Sequence, residues 1–238
     1  HTGDVTKMRT FDEFYDAYKA QNNYMLKLLV NADNAIDTAH GERCPLPFQS
    51  SMVEDCIARG KCMQEGGAHY NFTGPQGFGI ANMADSLYAV KTLVYDQKKI
   101  TMYELKEALE HNFGEDIPDK IAQKKTEKEI RRLSEEGKVI TDSLIVDTYN
   151  RIKTCGMQPY QRTKYRKVRE LIEAVPKFGN DIPEVDAFAR DVAYTYTRPL
   201  ETFRNPRGGM YQAGLYPVSA NVPLGAQTGA TPDGRLAY

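Results

Sequence analysis

From Gly208 to Arg235 the chain reads GGMYQAGLYPVSANVPLGAQTGATPDGR, and this stretch limits what the rest can build. Met210 to Tyr216 reads as a short strand. Pro217 and Pro223 each lack the amide donor a central strand needs, so regular pairing has to stop after Tyr216. Thr231-Pro232-Asp233-Gly234 predicts a turn, with Pro presetting φ, Asp in the third position and Gly ending it. An aromatic hydroxyl at a strand end, facing backbone that needs six glycines between Gly208 and Gly234, stands where functional groups gather. A buried strand followed by a surface loop accounts for the same residues.

Composition narrows the classes. With 238 residues the chain has material for one or two domains. Its 31 basic and 32 acidic side chains leave a formal charge of −1, so no overall field draws nucleic acid or an anionic membrane. No apolar run approaches the ~20 residues of a membrane span, and no signal-peptide pattern opens the chain. Cys44, Cys56, Cys62 and Cys155 lack CxxC spacing, which fits reduced thiols in a cytoplasmic protein. Asn71-Phe72-Thr73 matches a glycosylation sequon by accident on this reading. The chain opens on His1 and stops at Tyr238 just past a turn, and the strand ending at Tyr216 has no evident partner strand. Both features predict a piece of something longer.

Taken in order, Thr10 and Glu13 form a capping box for a helix running to about residue 40, with Phe11, Phe14, Tyr18, Met25, Leu28, Leu29, Ala32 and Ile36 on its core face. Asp33, Asp37, His40 and Cys44 follow at spacings that place them on one face as a divalent-metal set. Gly41 and Pro45 break the helix there, however, and no second cluster supports the set, so a capped, solvated helix end and no metal is the reading adopted. Ser51 and Glu54 predict a second capping box, with Gly60 closing its helix. Ala68–Thr73 reads as extended. Gly74-Pro75-Gln76-Gly77-Phe78-Gly79 leads into a helix with Ile80, Met83, Ala84, Leu87 and Val94 on one face. The spacing is GxxGxG rather than GxGxxG and no Lys-Ser/Thr follows, so the glycines serve a tight turn rather than a phosphate.

Thr101 and Glu104 cap a helix with Leu105, Ala108 and Leu109 inward, ended by Gly114. From Glu115 to Glu170 there are 14 Lys/Arg and 10 Asp/Glu, with helices expected at about 120–136, 142–155 and 163–174. The interleaved acids speak for solvated helix faces rather than a phosphate track. Asp181-Ile182-Pro183 starts a further helix with Val185, Phe188, Val192 and Tyr196 buried, kinked or restarted at Pro199. Arg207 suits an anion, with a salt bridge the default. His69 as a general base stands against a satisfied structural histidine. These residues alone contain no complete catalytic set.

ERCPLPFQSSMVEDCI (42–57), HYNFTGPQGFGIANMADSL (69–87), VPKFGNDIPEVD (175–186) and the stretch from Arg207 to Ala237 together resemble the glycyl radical enzymes, closest to the glycerol/1,2-diol dehydratase branch. TGATPDGR is also similar to the matching stretch of pyruvate formate-lyase. The resemblance implies a helix-rich α/β fold, part of a ten-stranded pyruvate formate-lyase-like α/β barrel. Residues 1–114 and 175–238 would belong to that domain and 115–174 would be a charged helical insertion, the main departure from the family. It implies that Tyr216 is an active-site tyrosine and that Val218 and Ser219 bind substrate as a specificity wall. The family's Cys-x-Glu loop and C-terminal glycyl radical motif are absent from this chain. The implied activity is that of a cytoplasmic, anaerobic lyase eliminating water from a 1,2-diol-like substrate. It would use a protein-derived glycyl radical installed by a radical S-adenosylmethionine activating enzyme, in a homodimer, with no cofactor or metal in this chain. A hydroxyproline dehydratase, a choline lyase, a formate acetyltransferase or a non-catalytic helical interaction protein on the same scaffold are the alternatives. Ser219–Leu224 differs in detail from the glycerol version, which leaves the substrate open.

Overall fold

The structure, a computed structural model, describes residues 2–238. Its elements in chain order are α1 (Phe11–Arg43), α2 (Pro47–Ser50), α3 (Cys56–Arg59), β1 (Gln76–Gly77), α4 (Ile80–Val90), α5 (Met102–Glu110), α6 (Asp119–Glu135), α7 (Asp142–Lys153), α8 (Arg162–Glu173), α9 (Pro183–Leu200), β2 (Gly214–Leu215) and α10 (Asn221–Gly225). β1 and β2 pair in parallel, Gln76 opposite Gly214 and Gly77 opposite Leu215. Two units emerge. The first holds Asp12–Ile80 and Ala187–Pro217 with the N-terminal residues to Asp4. The second holds Val5–Phe11, Ala81–Asp186 and Val218–Tyr238.

The first unit is built on α1. Leu26 and Val30 pack with Leu200 and Tyr211, and Tyr196, Phe203 and Ala213 close around them. Burying such side chains is worth roughly 1.5–3 kcal/mol each, which fixes which face of α1 turns inward. The expected face differs: Met25 is 60% exposed and Ile36 54%, and Leu28 and Leu29 are exposed with them. A 3.6-residue period finds an apolar stripe without saying what covers it, and here the neighbouring stripe through Leu26 and Val30 takes the core. Nor does Gly41 end the helix, which runs on to Arg43, where Cys44 still donates its amide to the His40 carbonyl at 3.0 Å.

Ser51 does not start a helix as expected. It follows the end of α2, and its hydroxyl bonds back to the Phe48 carbonyl at 2.7 Å. Gly60 does close α3, in the left-handed region at φ 61. The strand expected over Met210–Tyr216 pairs only in pieces: an antiparallel bridge of Met210 to Arg204, a parallel bridge of Tyr211 to Thr73, and β2 itself. α9 runs unbroken through Pro199 and stops one residue later, so the proline ends the helix rather than restarting it.

In the second unit the Thr101 cap is formed on both sides: the Glu104 amide donates to Thr101 Oγ1 at 3.1 Å, and the Glu104 carboxylate accepts from the Thr101 amide at 3.0 Å. The Thr101 amide, and then the Thr101 hydroxyl donating at 3.0 Å, hold the Glu104 carboxyl below its usual range. After α4 the chain underwinds into a π turn, Lys91–Asp96. The extra residue shifts the inward position, so Leu93 is buried in place of the expected Val94, while Met83 faces outward. Asn112 and Phe113 take positive φ values of 48 and 53, a conformation costly for non-glycine residues. Buried partners hold it: the Asn112 side chain donates to the Glu115 carbonyl at 3.0 Å and accepts from the Ala237 amide at 2.7 Å. Ile117, Ala122 and Ala237 form a small core there, so residues of the 115–174 segment and the C-terminal residues pack in one unit. The turn at Thr231–Gly234 closes with a 3.0 Å bond from the Gly234 amide to the Thr231 carbonyl. The Asp233 carboxylate accepts from the Arg235 amide and the Asn82 side chain. Among the described residues no strand follows Tyr216, as the two prolines required, and Pro223 lies within the first turn of α10, where a missing donor costs little.

Candidate active-site strand

Two runs of backbone, Asn71–Gly77 and Gly209–Tyr216, lie side by side in the first unit. The Thr73 amide donates to the Met210 carbonyl at 3.2 Å, the Gln212 amide to the Thr73 carbonyl at 2.9 Å, and the Gly214 amide to the Pro75 carbonyl at 3.1 Å. Asn205 ties the two together: its side-chain amide donates to the Asn71 carbonyl (2.5 Å) and Thr73 Oγ1 (2.9 Å), while its Oδ1 accepts from the Gly209 amide (2.8 Å). The Tyr196 hydroxyl donates to the Pro75 carbonyl at 3.0 Å from α9.

Tyr216 stands one residue beyond β2, 51% exposed. Its ring folds back over Gly214, so that a Cβ built on that glycine would lie 2.3 Å from the Tyr216 hydroxyl oxygen. The missing side chain at 214 is the notch that the phenol occupies, and the hydroxyl can both donate and accept there. Val218 and Ser219 belong to the second unit, half-buried and exposed respectively, just before α10.

Behind the strand sits a polar group that the spacing of residues did not reveal. Tyr211 is wholly buried, and its hydroxyl donates to Asn34 Oδ1 at 2.8 Å and lies 3.3 Å from the Val30 carbonyl. Burial, then the negative charges of Asp33 and Asp37, push its pKa up to about 12. A raised pKa means the neutral phenol stabilises the fold. That contribution is complete below the unfolded value near 10 and is lost as pH rises through about 12. In the intact protein, the stability advantage of wild type over Tyr211→Phe is expected to shrink by about 2–3 kcal/mol between pH 10 and pH 12. Chemical denaturation across that range measures it, and a constant difference would contradict the assignment. The signal available in the sequence was a tyrosine near the start of a short strand, since a buried tyrosine needs a partner for its hydroxyl.

Asp37, one of the residues weighed for a metal, is instead engaged by Arg207, Nε to Oδ2 at 2.8 Å. Among the described residues no three of His, Cys, Asp and Glu stand together as a metal set. Arg207 is thereby a salt-bridged residue rather than a free anion receptor. His69 Nδ1 lies 3.1 Å from the Asp55 carboxylate, which also takes Arg59 Nη2 at 2.9 Å. The His69 hydrogen bond holds the Asp55 carboxyl below its usual range. Asp55 sits in the left-handed region at φ 72, a position that no sequence pattern singled out.

The described elements form a helix-rich α/β arrangement in which a tyrosine follows the second strand of a parallel pair. The chain belongs to the pyruvate formate lyase-like family, whose description matches residues 1–225. A solved structure concerned with 1,2-propanediol dehydration in Roseburia inulinivorans is similar at 57% identity and TM-score 0.86, covering 99% of this chain and 28% of that one. The glycerol-bound, B12-independent glycerol dehydratase of Clostridium butyricum is similar at 42% identity and TM-score 0.75, covering 99% of this chain and 24% of that one. Among curated proteins, the probable dehydratase YbiW of Escherichia coli K12 is 33% identical over 96% of this chain and 23% of its own length. The chain thus spans about a quarter of the length of the relatives it matches.

Proposed function

We propose that this chain forms one wall of the substrate pocket of a glycyl radical dehydratase, and that the whole enzyme removes water from a 1,2-diol. The observation that carries the reading is the tyrosine presented at the end of β2 over the Gly214 notch, in a chain 57% identical to a structure concerned with 1,2-propanediol dehydration. In the whole enzyme a protein-derived glycyl radical would supply the hydrogen-abstracting chemistry through a cysteine. This chain's share is to bind and orient. Tyr216 offers a phenol that donates to, or accepts from, a substrate hydroxyl, with its backbone placed by the strand and its ring lying in the Gly214 notch. Val218 and Ser219 set which side chain of a diol fits. Glycerol and 1,2-propanediol differ by one hydroxyl, and changing one side chain of such a wall alters discrimination between them by about 1–3 kcal/mol.

The partners that follow are a small diol, a radical S-adenosylmethionine activating enzyme and a second copy of the whole polypeptide. The four free thiols fit a reducing, cytoplasmic setting. Among the described residues no helix is long and apolar enough to cross a membrane. The test is Tyr216→Phe in the intact enzyme. Radical installation, read by electron paramagnetic resonance, is expected to be unchanged, while turnover of 1,2-propanediol falls about 10²-fold or more, the scale of losing a positioned hydroxyl at a reacting group. Unchanged turnover would remove Tyr216 from the mechanism.

A further inference from the structure

The ladder that carries Tyr216 is too short to fix itself. β1 and β2 share two residue pairs, and the Thr73–Tyr211 bridge adds one more in the same register. A slip by one residue would turn every side chain of the strand, Tyr216 included, to the opposite face. Glycines at 74, 77, 209 and 214 offer little side-chain packing to prevent it. Something outside the ladder has to hold the register.

We propose that Arg207, anchored on Asp37 of α1, sets this register together with the Asn205 tie between the two runs and is thereby a positioning residue for Tyr216. Its guanidinium makes contacts in two directions. Nε meets Asp37 Oδ2 at 2.8 Å, and Nη2 donates to the Phe72 carbonyl at 3.1 Å and to Thr73 Oγ1 at 3.2 Å. It therefore grips the first strand at the residues that enter the ladder, while belonging to the segment that delivers the second. The planar, multi-donor head of arginine suits this; a lysine ammonium in its place satisfies Asp37 as a point charge without the fixed fork. The pair is largely shielded, with side-chain exposures of 21% for Arg207 and 18% for Asp37, so solvent screens it weakly. Tyr211 makes the complementary bond from the second strand to α1, to Asn34 and Val30, one to two turns before Asp37. Both strands are thus indexed to one rigid helix, and their mutual register follows from it.

This inference rests on the assignment of Tyr216 above, and the experiment separates the two. In the intact enzyme, steady-state turnover of 1,2-propanediol is measured well below the melting temperature for Arg207→Met, Arg207→Lys, Tyr216→Phe and the double variant Arg207→Met/Tyr216→Phe. The expected result is a fall in kcat of tenfold or more for Arg207→Met and a smaller fall for Arg207→Lys. In the Tyr216→Phe background, Arg207→Met should remove less than a further twofold, because its effect is exerted through that tyrosine. Losses that multiply in the double variant would overturn the proposal, as would a lowered melting temperature with unchanged kcat. Should Arg207→Met not fold, Arg207→Lys is judged by the same two criteria, singly and combined with Tyr216→Phe. A Tyr216→Phe enzyme with full turnover would overturn both readings; a damaged Tyr216→Phe with an unaffected Arg207→Met overturns only this one.

Discussion

Gly209→Ala is expected to destabilise the protein by about 3–5 kcal/mol, among the largest effects a single methyl group can have. A Cβ at this position would lie 1.8 Å from the Asn71 carbonyl oxygen and 2.5 Å from its carbon. Those are backbone atoms of the neighbouring run, held in turn by Asn205, so relief requires the two runs to separate. Gly208→Ala is the internal control. It has open space around the added carbon but a φ of 82, so only the left-handed conformation is penalised, at about 1 kcal/mol. Thermal or denaturant unfolding of the intact protein measures both. Equal losses for the two variants would show that crowding at Asn71 is not what makes residue 209 a glycine.

Gly214→Ala should act in the opposite way, leaving the fold nearly intact and damaging catalysis. The atoms its Cβ would meet, at 2.3 to 2.9 Å, all belong to the outer part of the Tyr216 ring. A side-chain end that is half exposed can swing away at little cost, so the melting temperature should hardly move. The phenol, however, leaves its notch, and a displacement of about 1 Å at a positioned group can cost 10²-fold in rate. Turnover of 1,2-propanediol by the intact enzyme is expected to fall by about that factor, with radical yield unchanged. A Gly214→Ala enzyme as active as wild type would mean that the site tolerates a displaced hydroxyl.

The regular parts of this architecture were legible wherever the signal is local. The cap at Thr101 and Glu104, the stop at Gly60 and the Thr231–Gly234 turn each depend on a few consecutive residues, and each forms as read. What escaped depends on partners distant in sequence. The stripe of α1 that faces inward is chosen by Leu200 and Tyr211, more than 160 residues away, and no period within the helix encodes that choice. The strand before Pro217 was legible as a short strand, yet its pairing is broken because Thr73 and Gln76–Gly77 offer only a few matching groups. Asp37 was seen as a potential metal ligand because its neighbours share a helix face, whereas its real partner, Arg207, lies 170 positions later. The π turn after Val90 has no signature in residue type, and it displaced the buried position from Val94 to Leu93. The family resemblance made Tyr216 a candidate, and the Gly214 notch beneath its ring became apparent only in three dimensions.

The outward ridge of α1, with Met25, Leu28, Leu29 and Ile36 open to water, has a practical corollary. An oily flank three turns long is a poor solute and a good adhesive. Produced by itself, this chain is expected to cling to its own copies or to any greasy surface at hand, and its behaviour in solution will be governed by that ridge.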